Sequence, residues 1–174
     1  MAAFFTGIAR KFPVMKKDPA PDSFDLALLD ALQQDNSLPL RELAGRVHLS
    51  TASVQRRIQQ LKKSGYIQAN TAVVDPEKLG QVITLAVEVR VDRTQTADMV
   101  QLRQAFSGPE IQQCYSITGD ADFLLVLTVA NMSVFQQLAQ RLFHDNPNVK
   151  WFRTLVVLER IKTTLHVPID TGTP

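Results

Sequence analysis

The spacing of apolar side chains changes near Val82, and this change limits the possible folds more than any other feature of the sequence. Between Phe24 and Leu61, apolar residues recur every three or four positions, as they do on one face of a helix. From Ile83 to Val91 they alternate with smaller or more polar residues, as in a strand that buries one face. The sequence therefore predicts an α+β protein with two domains, the first helical and the second built around a sheet.

The first domain is predicted to contain three helices, which begin near Ser23, Pro39 and Ser50. The third helix carries Val54, Ile58 and Leu61 at positions i, i+4 and i+7, so these residues form one buried stripe. Gly65 is suited to end that helix in a left-handed turn. The second and third helices are close in the sequence, so a tight turn must join them.

Two short helices joined by a tight turn form an arrangement that the DNA major groove accepts. The buried stripe leaves the other face of the third helix polar, where Arg56 can contact guanine and Gln59 can contact adenine. Arg57, Lys62 and Lys63 are better suited to phosphate. We therefore predict a winged helix-turn-helix with these DNA-contacting residues: Ser50, Thr51, Ser53, Gln55, Arg56, Arg57, Gln59, Lys62 and Lys63.

A polar helix face is also what any solvated surface helix presents, and helix pairs occur in many proteins. The net charge of +2, from 19 basic and 17 acidic residues, is too small to indicate nucleic-acid binding by itself. The basic excess lies in the N-terminal part, with four basic residues and one acidic residue in 1–20. The helical pattern alone therefore leaves DNA binding and a merely solvated face equally open.

The second domain is predicted to follow the order β-α-β-β-α-β, which is a ferredoxin-like arrangement. Its first helix stops at Ser107-Gly108-Pro109, and Asn131 can cap its second helix. A tight turn at 118–122 joins the two central strands. The predicted strands are Ile83–Val91, Ile111–Ile117, Phe123–Val129 and Val149–Ile161.

The predicted boundaries divide the chain into five segments. Residues 22–66 form the helix-turn-helix domain, and 82–166 form the ferredoxin-like domain. The β-prone residues 67–81 between them are predicted to be extended linker strands. Residues 1–21 are predicted to be a flexible basic tail, and 167–174 a C-terminal tail.

The sequence offers no constellation for catalysis or metal binding. His48, His144 and His166 are far apart, no Ser-His-Asp or metal-ligand spacing joins them, and the seven glycines form no phosphate-binding loop. The single cysteine, Cys114, excludes an internal disulfide and a cysteine-based zinc finger, and it is predicted to be a small buried hydrophobe. We therefore predict that the protein is not an enzyme, and we expect no catalytic residue, metal or cofactor.

The apolar runs are short. None approaches the ~18 residues that a membrane helix requires. The start also lacks the pattern of a signal peptide, because its basic residues follow rather than precede a very short apolar run. We therefore expect a cytoplasmic protein without a membrane partner.

Motifs in both domains resemble the Lrp/AsnC (leucine-responsive/asparagine) family of transcription regulators. The similar segments are 42–67 in the first domain and 110–125 and 153–159 in the second. The second segment includes the turn Gly119-Asp120-Ala121-Asp122. The resemblance covers about residues 22–166, with the motifs in the right order and spacing.

Resemblance to this family implies a regulator that binds double-stranded DNA as a homodimer, often in an octamer of four dimers. It implies that the sheets of two second domains face each other and that the linker strands help to join partners. It also implies a small effector, usually an amino acid, held between dimers at the Gly-Asp-Ala-Asp turn. The predicted effector-binding residues are Gly119, Asp120, Ala121, Asp122, Met132, Leu155 and Val156.

Other interpretations of these residues remain. Turn formation explains the two aspartates equally well, and core packing explains Met132, Leu155 and Val156. Ala121 departs from the family, which often has an aromatic residue there. Two alternative functions share the two-domain build: an enzyme that resembles sirohaem decarboxylases, and an oligomer whose DNA helix is vestigial.

Overall fold

The computed structural model describes residues 20–92 and 98–171, so the predicted tail at 1–21 lies almost wholly outside the described residues. The chain divides into two compact units. We call them the helical unit, with described residues 20–72 and 164–171, and the sheet unit, residues 73–163. The C-terminal residues from 164 onward thus belong with the helices, whereas the predicted boundaries placed 164–166 in the second domain and the rest in a separate tail.

The first helix of the helical unit, α1 (Ser23–Gln34), has Asp22 as its N-cap, one residue before the predicted cap. The Asp22 carboxylate accepts a hydrogen bond from the backbone N–H of Asp25 at 2.9 Å. The Asp25 carboxylate in turn accepts one from the backbone N–H of Asp22 at 3.3 Å. This reciprocal capping box satisfies two backbone donors, which explains why the helix begins there.

The next two helices, α2 (Leu40–Arg46) and α3 (Thr51–Lys63), are joined by the predicted tight turn. Pro39 is the N-cap of α2 rather than its first residue, because its ψ of 144° is extended. The turn places His48 in the left-handed region at φ 53°, a conformation that is uncommon for a residue with a Cβ. Ser50 caps α3 as predicted.

The three helices enclose a small apolar core, and the predicted stripe of α3 contributes to it. Gly65 follows α3 with φ 79°, which confirms the predicted left-handed turn. The buried residues of this core are Leu28, Ala31, Leu43, Ala44, Val47 and Val54.

Residues 64–82 are all described and contain no strand, so neither the predicted wing nor the predicted linker strands form in the single chain. The one regular element in this stretch is a short 3-10 helix, Glu77–Leu79. A strand needs a neighbouring strand to accept its hydrogen bonds, and β-prone composition does not supply one.

The sheet unit contains four strands in the order β2-β3-β1-β4, all paired antiparallel. This order and the two intervening helices confirm the predicted ferredoxin-like fold and the α+β class. In chain order the elements are β1 (Ile83–Val91), α4 (Asp98–Ala105), β2 (Ile111–Ser116), β3 (Phe123–Val129), α5 (Met132–Ala139) with a π-helical extension (Gln140–His144), and β4 (Val149–Val156).

One face of the sheet packs on the helices and forms the larger core, because alternate residues of β1 and β3 point toward α4 and α5. Aromatic side chains fill its centre, where Phe106 meets Phe123 edge to face at 5.4 Å. β4 ends at Val156, short of the predicted Ile161. The backbone N–H of Val157 still donates to the carbonyl oxygen of Thr84, but β1 begins at Ile83, so residues from 159 onward have no strand opposite them.

Among the described helices, none is long and apolar enough to cross a membrane.

Candidate functional site

The helix α3 presents a polar face to solvent because its apolar stripe is turned inward. Val54 and Leu61 on the inner side are 0% and 3% exposed. The predicted DNA-contacting side chains that are exposed along α3 are Thr51, Gln55, Arg56, Gln59, Lys62 and Lys63. The geometry therefore brings most of the predicted set onto one accessible surface, which we call the α3 face.

Ser50 and Ser53 are partly committed to starting the helix. The Ser50 hydroxyl oxygen accepts a hydrogen bond from the backbone N–H of Ser53 at 3.2 Å. The two hydroxyl groups also lie 2.9 Å apart in a hydrogen bond. Both side chains thus shape the N-terminus of α3, the end of a recognition helix that contacts base edges in helix-turn-helix proteins.

Arg57 does not extend into solvent as its predicted phosphate contact would require. Its Nη1 lies 2.9 Å from a carboxylate oxygen of Asp22 and 2.8 Å from one of Asp25. The guanidinium carbon also stands 5.5 Å from the centre of the Phe24 ring, within range of a cation–π contact. Arg57 therefore fastens α3 to the start of α1 and is better described as a structural residue.

The Arg57 cluster changes the acidity of its members. The pKa of Asp22 is held below its ordinary value of 3.8, first by the backbone hydrogen bond from Asp25 and then by Arg57. Hydrogen bonding to Asp25 raises the pKa of Arg57. Both shifts favour the charged forms of Asp22 and Arg57.

We expect Arg57→Ala to lower the melting temperature at pH 7 by more than it does near pH 2. Because the pKa of folded Asp22 is lowered, its contribution to stability is present above the unfolded value and is lost as the pH falls through the folded value. Thermal melts at both pH values measure the difference. Arg46→Ala is the control, because its ion pair with Glu42 is largely exposed and contributes little. An equal loss at both pH values would contradict a role for the carboxylates.

The turn between β2 and β3 is held in place by Arg90, which is not among the predicted site residues. Gly119 adopts φ 119°, which favours glycine. Arg90 of β1 donates a hydrogen bond from Nη1 to the carbonyl oxygen of Asp120 at 2.8 Å and contacts that of Gly119 at 3.3 Å. A signal was available, since Arg90 is the one basic side chain in β1. The Asp120 side chain itself is exposed.

Ala121 and Asp122 differ from Asp120 because both are 4% exposed. An Asp122 carboxylate oxygen accepts a hydrogen bond from the backbone N–H of Val91 at 2.9 Å and lies 3.6 Å from Nε of Arg90. The backbone N–H of Asp122 donates to the carbonyl of Val89 at 2.8 Å. Asp122 therefore ties the turn to β1, and its carboxylate is not presented to solvent.

The remaining predicted effector residues, Met132, Leu155 and Val156, are exposed by 41–53%. Phe123, next to the turn, pairs with Val89, whereas Leu155 and Val156 pair with Ala86 and Leu85, three and four positions along β1 from Val89. Met132 follows the far end of β3, and the seven residues of that strand span roughly 20 Å. In the single chain these three residues are therefore spread along the sheet away from the turn and do not lie beside it.

The sheet face that carries no helix, which we call the open face, has an apolar row across its middle. Val126, Ala86 and Leu155 form a row across three strands. Beside this row, Nε of Arg153 donates a hydrogen bond to the Glu88 carboxylate at 2.7 Å. The larger exposed side chains on this face are Tyr115, Trp151 and Leu155, at 48%, 37% and 46%. Exposed apolar side chains that lie together mark a surface available for contact with another molecule.

A groove of about 570 Å³ runs between α5 and the start of β2 in the sheet unit. Arg141 forms an ion pair with Glu110 across it. None of the predicted effector residues lines this groove.

Within the described residues, no group of three or more His, Cys, Asp and Glu side chains is placed to hold a metal ion. Cys114, predicted to be buried, is exposed. Its strand β2 is an edge strand, so no further strand covers its outer side.

Two family models match the two units. The AsnC-type helix-turn-helix domain matches residues 22–62, and the Lrp/AsnC ligand binding domain matches residues 84–167.

Curated relatives match over nearly the whole chain. An uncharacterised HTH-type transcriptional regulator of Sinorhizobium fredii is 36% identical over 150 residues, covering 86% of this chain and 89% of the relative. The leucine-responsive regulatory protein of Escherichia coli is 33% identical over 159 residues, covering 90% and 97%.

Solved structures of transcription regulators also superpose on this chain. A transcriptional regulator of Neisseria meningitidis, solved as a complex with L-Met, superposes with a TM-score of 0.79 at 26% identity and covers 85% of this chain and 96% of its own. A feast or famine regulatory protein of M. tuberculosis, complexed with L-methionine, gives a TM-score of 0.76 at 29% identity, with 84% and 99% covered.

Proposed function

We propose a function on the basis that the chain belongs to the Lrp/AsnC family of transcription regulators. In this proposal the chain acts on DNA as a homodimer or a larger assembly, and an amino acid adjusts its affinity for DNA. The observation that carries this proposal is the α3 face, a row of exposed polar and basic side chains above a buried stripe. Binding to chromosomal DNA would place the protein in the cytoplasm.

In this proposal the residues of the α3 face divide by chemistry. Arg56 and Gln59 read bases, because a guanidinium fits guanine and a carboxamide fits adenine. Lys62 and Lys63 contact phosphate and fix the position of the helix. Arg57 supports them indirectly through its contacts with α1.

The open face supports a dimer in which two sheets face each other. Its apolar row is continuous over three strands, and a two-fold interface would bury it against its own copy. A dimer also presents two α3 faces to one DNA duplex, so the second contact gains from effective concentration. This gain offsets the small net charge of each chain.

An amino acid is the effector that the sheet unit supports best. The two relatives solved with L-methionine share its fold. The exposed carboxylate of Asp120 is suited to the ammonium group of such a ligand, and backbone N–H groups of the turn to its carboxylate. Met132, Leu155 and Val156 of a second chain would supply the apolar part of a pocket that one chain leaves incomplete.

The two aspartates of the turn are expected to respond differently to substitution. Asp120→Ala removes the response of DNA affinity to the amino acid and leaves the melting temperature unchanged. Asp122→Ala lowers stability by about 1–3 kcal/mol, because the buried N–H of Val91 loses its acceptor. Thermal melts and binding isotherms with and without the amino acid measure both. A full response in Asp120→Ala would remove that residue from the site.

The proposed function is tested by mobility shifts on promoter DNA at low salt, repeated with each of the twenty amino acids. We expect a shift without addition and a changed affinity with at least one amino acid. Failure to shift any DNA would support the vestigial-helix alternative instead. Binding of sirohaem by the purified protein would support the decarboxylase alternative.

A further inference from the structure

Gln33 of α1 contacts the backbone of the C-terminal segment, residues 164–171. Nε2 of Gln33 donates a hydrogen bond to the carbonyl oxygen of Val167 at 3.0 Å. The backbone N–H of Val167 donates to Oε1 of Gln33 at 2.8 Å. One carboxamide thus satisfies both backbone groups of a residue 134 positions away, as a neighbouring strand would.

A second contact lies one turn earlier on the same face of α1. Nε2 of His166 is 3.7 Å from a carboxylate oxygen of Asp30. Leu165 and Val167 are 77% and 62% exposed, whereas Ile169 is half-buried. Within this segment, the two hydrogen bonds of Gln33 are the contacts that fix the backbone of Val167.

The path of the chain gives this contact its significance. The main chain passes from the helical unit to the sheet unit at residues 72 and 73, and it returns at 163 and 164. Around the first passage, residues 68–75 form no regular structure. The Gln33 contact therefore fixes a point on the second main-chain connection between the two units, in addition to the first connection at 68–75.

We propose that residues 164–171 are a second tether of the DNA-binding unit and that Gln33 is the positioning residue that fastens it. This proposal rests on the proposed binding of DNA by a dimer. Two tethers restrict the orientations that each α3 face can take, so a dimer that has engaged one half-site meets the second more readily. Releasing one tether lowers the effective concentration for that second contact and leaves the first contact unchanged.

The experiment compares Gln33→Leu with Gln34→Leu. Leucine keeps the size of the side chain but removes both hydrogen-bonding groups. Gln34 is the adjacent glutamine of α1, and its amide contacts Asp30 instead of the C-terminal segment. A chain that ends at Lys162 is the second variant, because it lacks the whole segment. The probes are a duplex with two half-sites, selected from random DNA by the wild-type protein, and a duplex with one.

For Gln33→Leu and the shortened chain we expect roughly 3- to 10-fold weaker binding to two half-sites and unchanged binding to one. The backbone N–H of Val167 in Gln33→Leu should also exchange its hydrogen about tenfold faster than in wild type, because it has lost its acceptor. Gln34→Leu should match wild type in all three measurements.

Each other outcome has a distinct meaning. Equal losses of affinity for both duplexes would show damage to the helices and would contradict the proposed tether. Unchanged binding to both duplexes would also contradict it. Unchanged exchange at Val167 would show that Gln33 does not hold the segment. A wild-type protein that selects no duplex would instead contradict the proposed function, whereas normal wild-type binding with no effect of Gln33→Leu contradicts the tether alone.

Discussion

Arg56→Ala is expected to weaken binding to the operator by about 10- to 100-fold, while binding to random DNA falls only slightly. A guanidinium that forks onto guanine contributes roughly 1–3 kcal/mol of discrimination between bases, which corresponds to this range. On random DNA the same side chain contributes only its charge, which counterions largely replace. The exposure of Arg56 on the α3 face is what makes this contact possible.

The sharpest comparison for Arg56 is Lys63→Ala, because both side chains are exposed on α3 and each substitution removes one positive charge. A phosphate contact carries no sequence information, so Lys63→Ala should weaken binding to operator and to random DNA by similar factors. It should also reduce the slope of log affinity against log salt by about one unit. Arg103→Ala, on α4 of the sheet unit, controls for loss of charge elsewhere.

Fluorescence anisotropy titrations at several salt concentrations provide these values for operator and random duplexes. If Arg56→Ala weakened binding to both duplexes equally, Arg56 would be a phosphate contact. The proposed division of the α3 face into base-reading and phosphate-contacting residues would then be wrong. If neither duplex were affected, the DNA would lie against another surface. Gln59→Ala should behave like Arg56→Ala, with the loss confined to the operator.

The α3 face could be predicted because the features that create it are local. The stripe of Val54, Ile58 and Leu61 and the cap at Ser50 depend only on spacing within one helix. The role of Arg57 could not be predicted in the same way. Its partners Asp22 and Asp25 are more than thirty positions away, and only the packing of α1 on α3 brings them together.

The Gly-Asp-Ala-Asp turn shows the same limit. Both aspartates suit a turn, so composition does not distinguish them. Only the register of β1 against β3 places Asp122 beside the backbone of Val91 and leaves Asp120 exposed. Likewise, the end of β4 depends on where β1 begins, which is a property of the pairing and not of the β4 sequence.

Val126→Glu is expected to dissociate the proposed dimer and, with it, binding to a two-half-site operator. Val126 lies in the apolar row of the open face, between Ala86 on β1 and Gln113 on β2. A two-fold interface would bury the new carboxylate twice, once from each chain. An uncompensated buried charge costs about 3–5 kcal/mol, which corresponds to at least a hundredfold weaker dimer.

The fold of the single chain should tolerate this substitution, because Val126 points away from the core that packs on α4 and α5. Circular dichroism and thermal melts check that the sheet unit is intact. Gln104→Glu is the matched control, because it adds the same charge on an exposed position of α4. Sedimentation velocity should then show monomer for Val126→Glu and dimer, or a larger assembly, for wild type and Gln104→Glu.

The dimer experiment also separates the two steps of DNA recognition. A Val126→Glu monomer keeps its α3 face, so its affinity for a single half-site should remain that of wild type. Its affinity for two half-sites should fall to the same value, because the gain from a linked second contact is lost. A variant that stays dimeric and keeps full operator affinity would place the interface elsewhere than on the open face. A wild-type protein that is itself monomeric would contradict the proposed dimer, whatever the variant does.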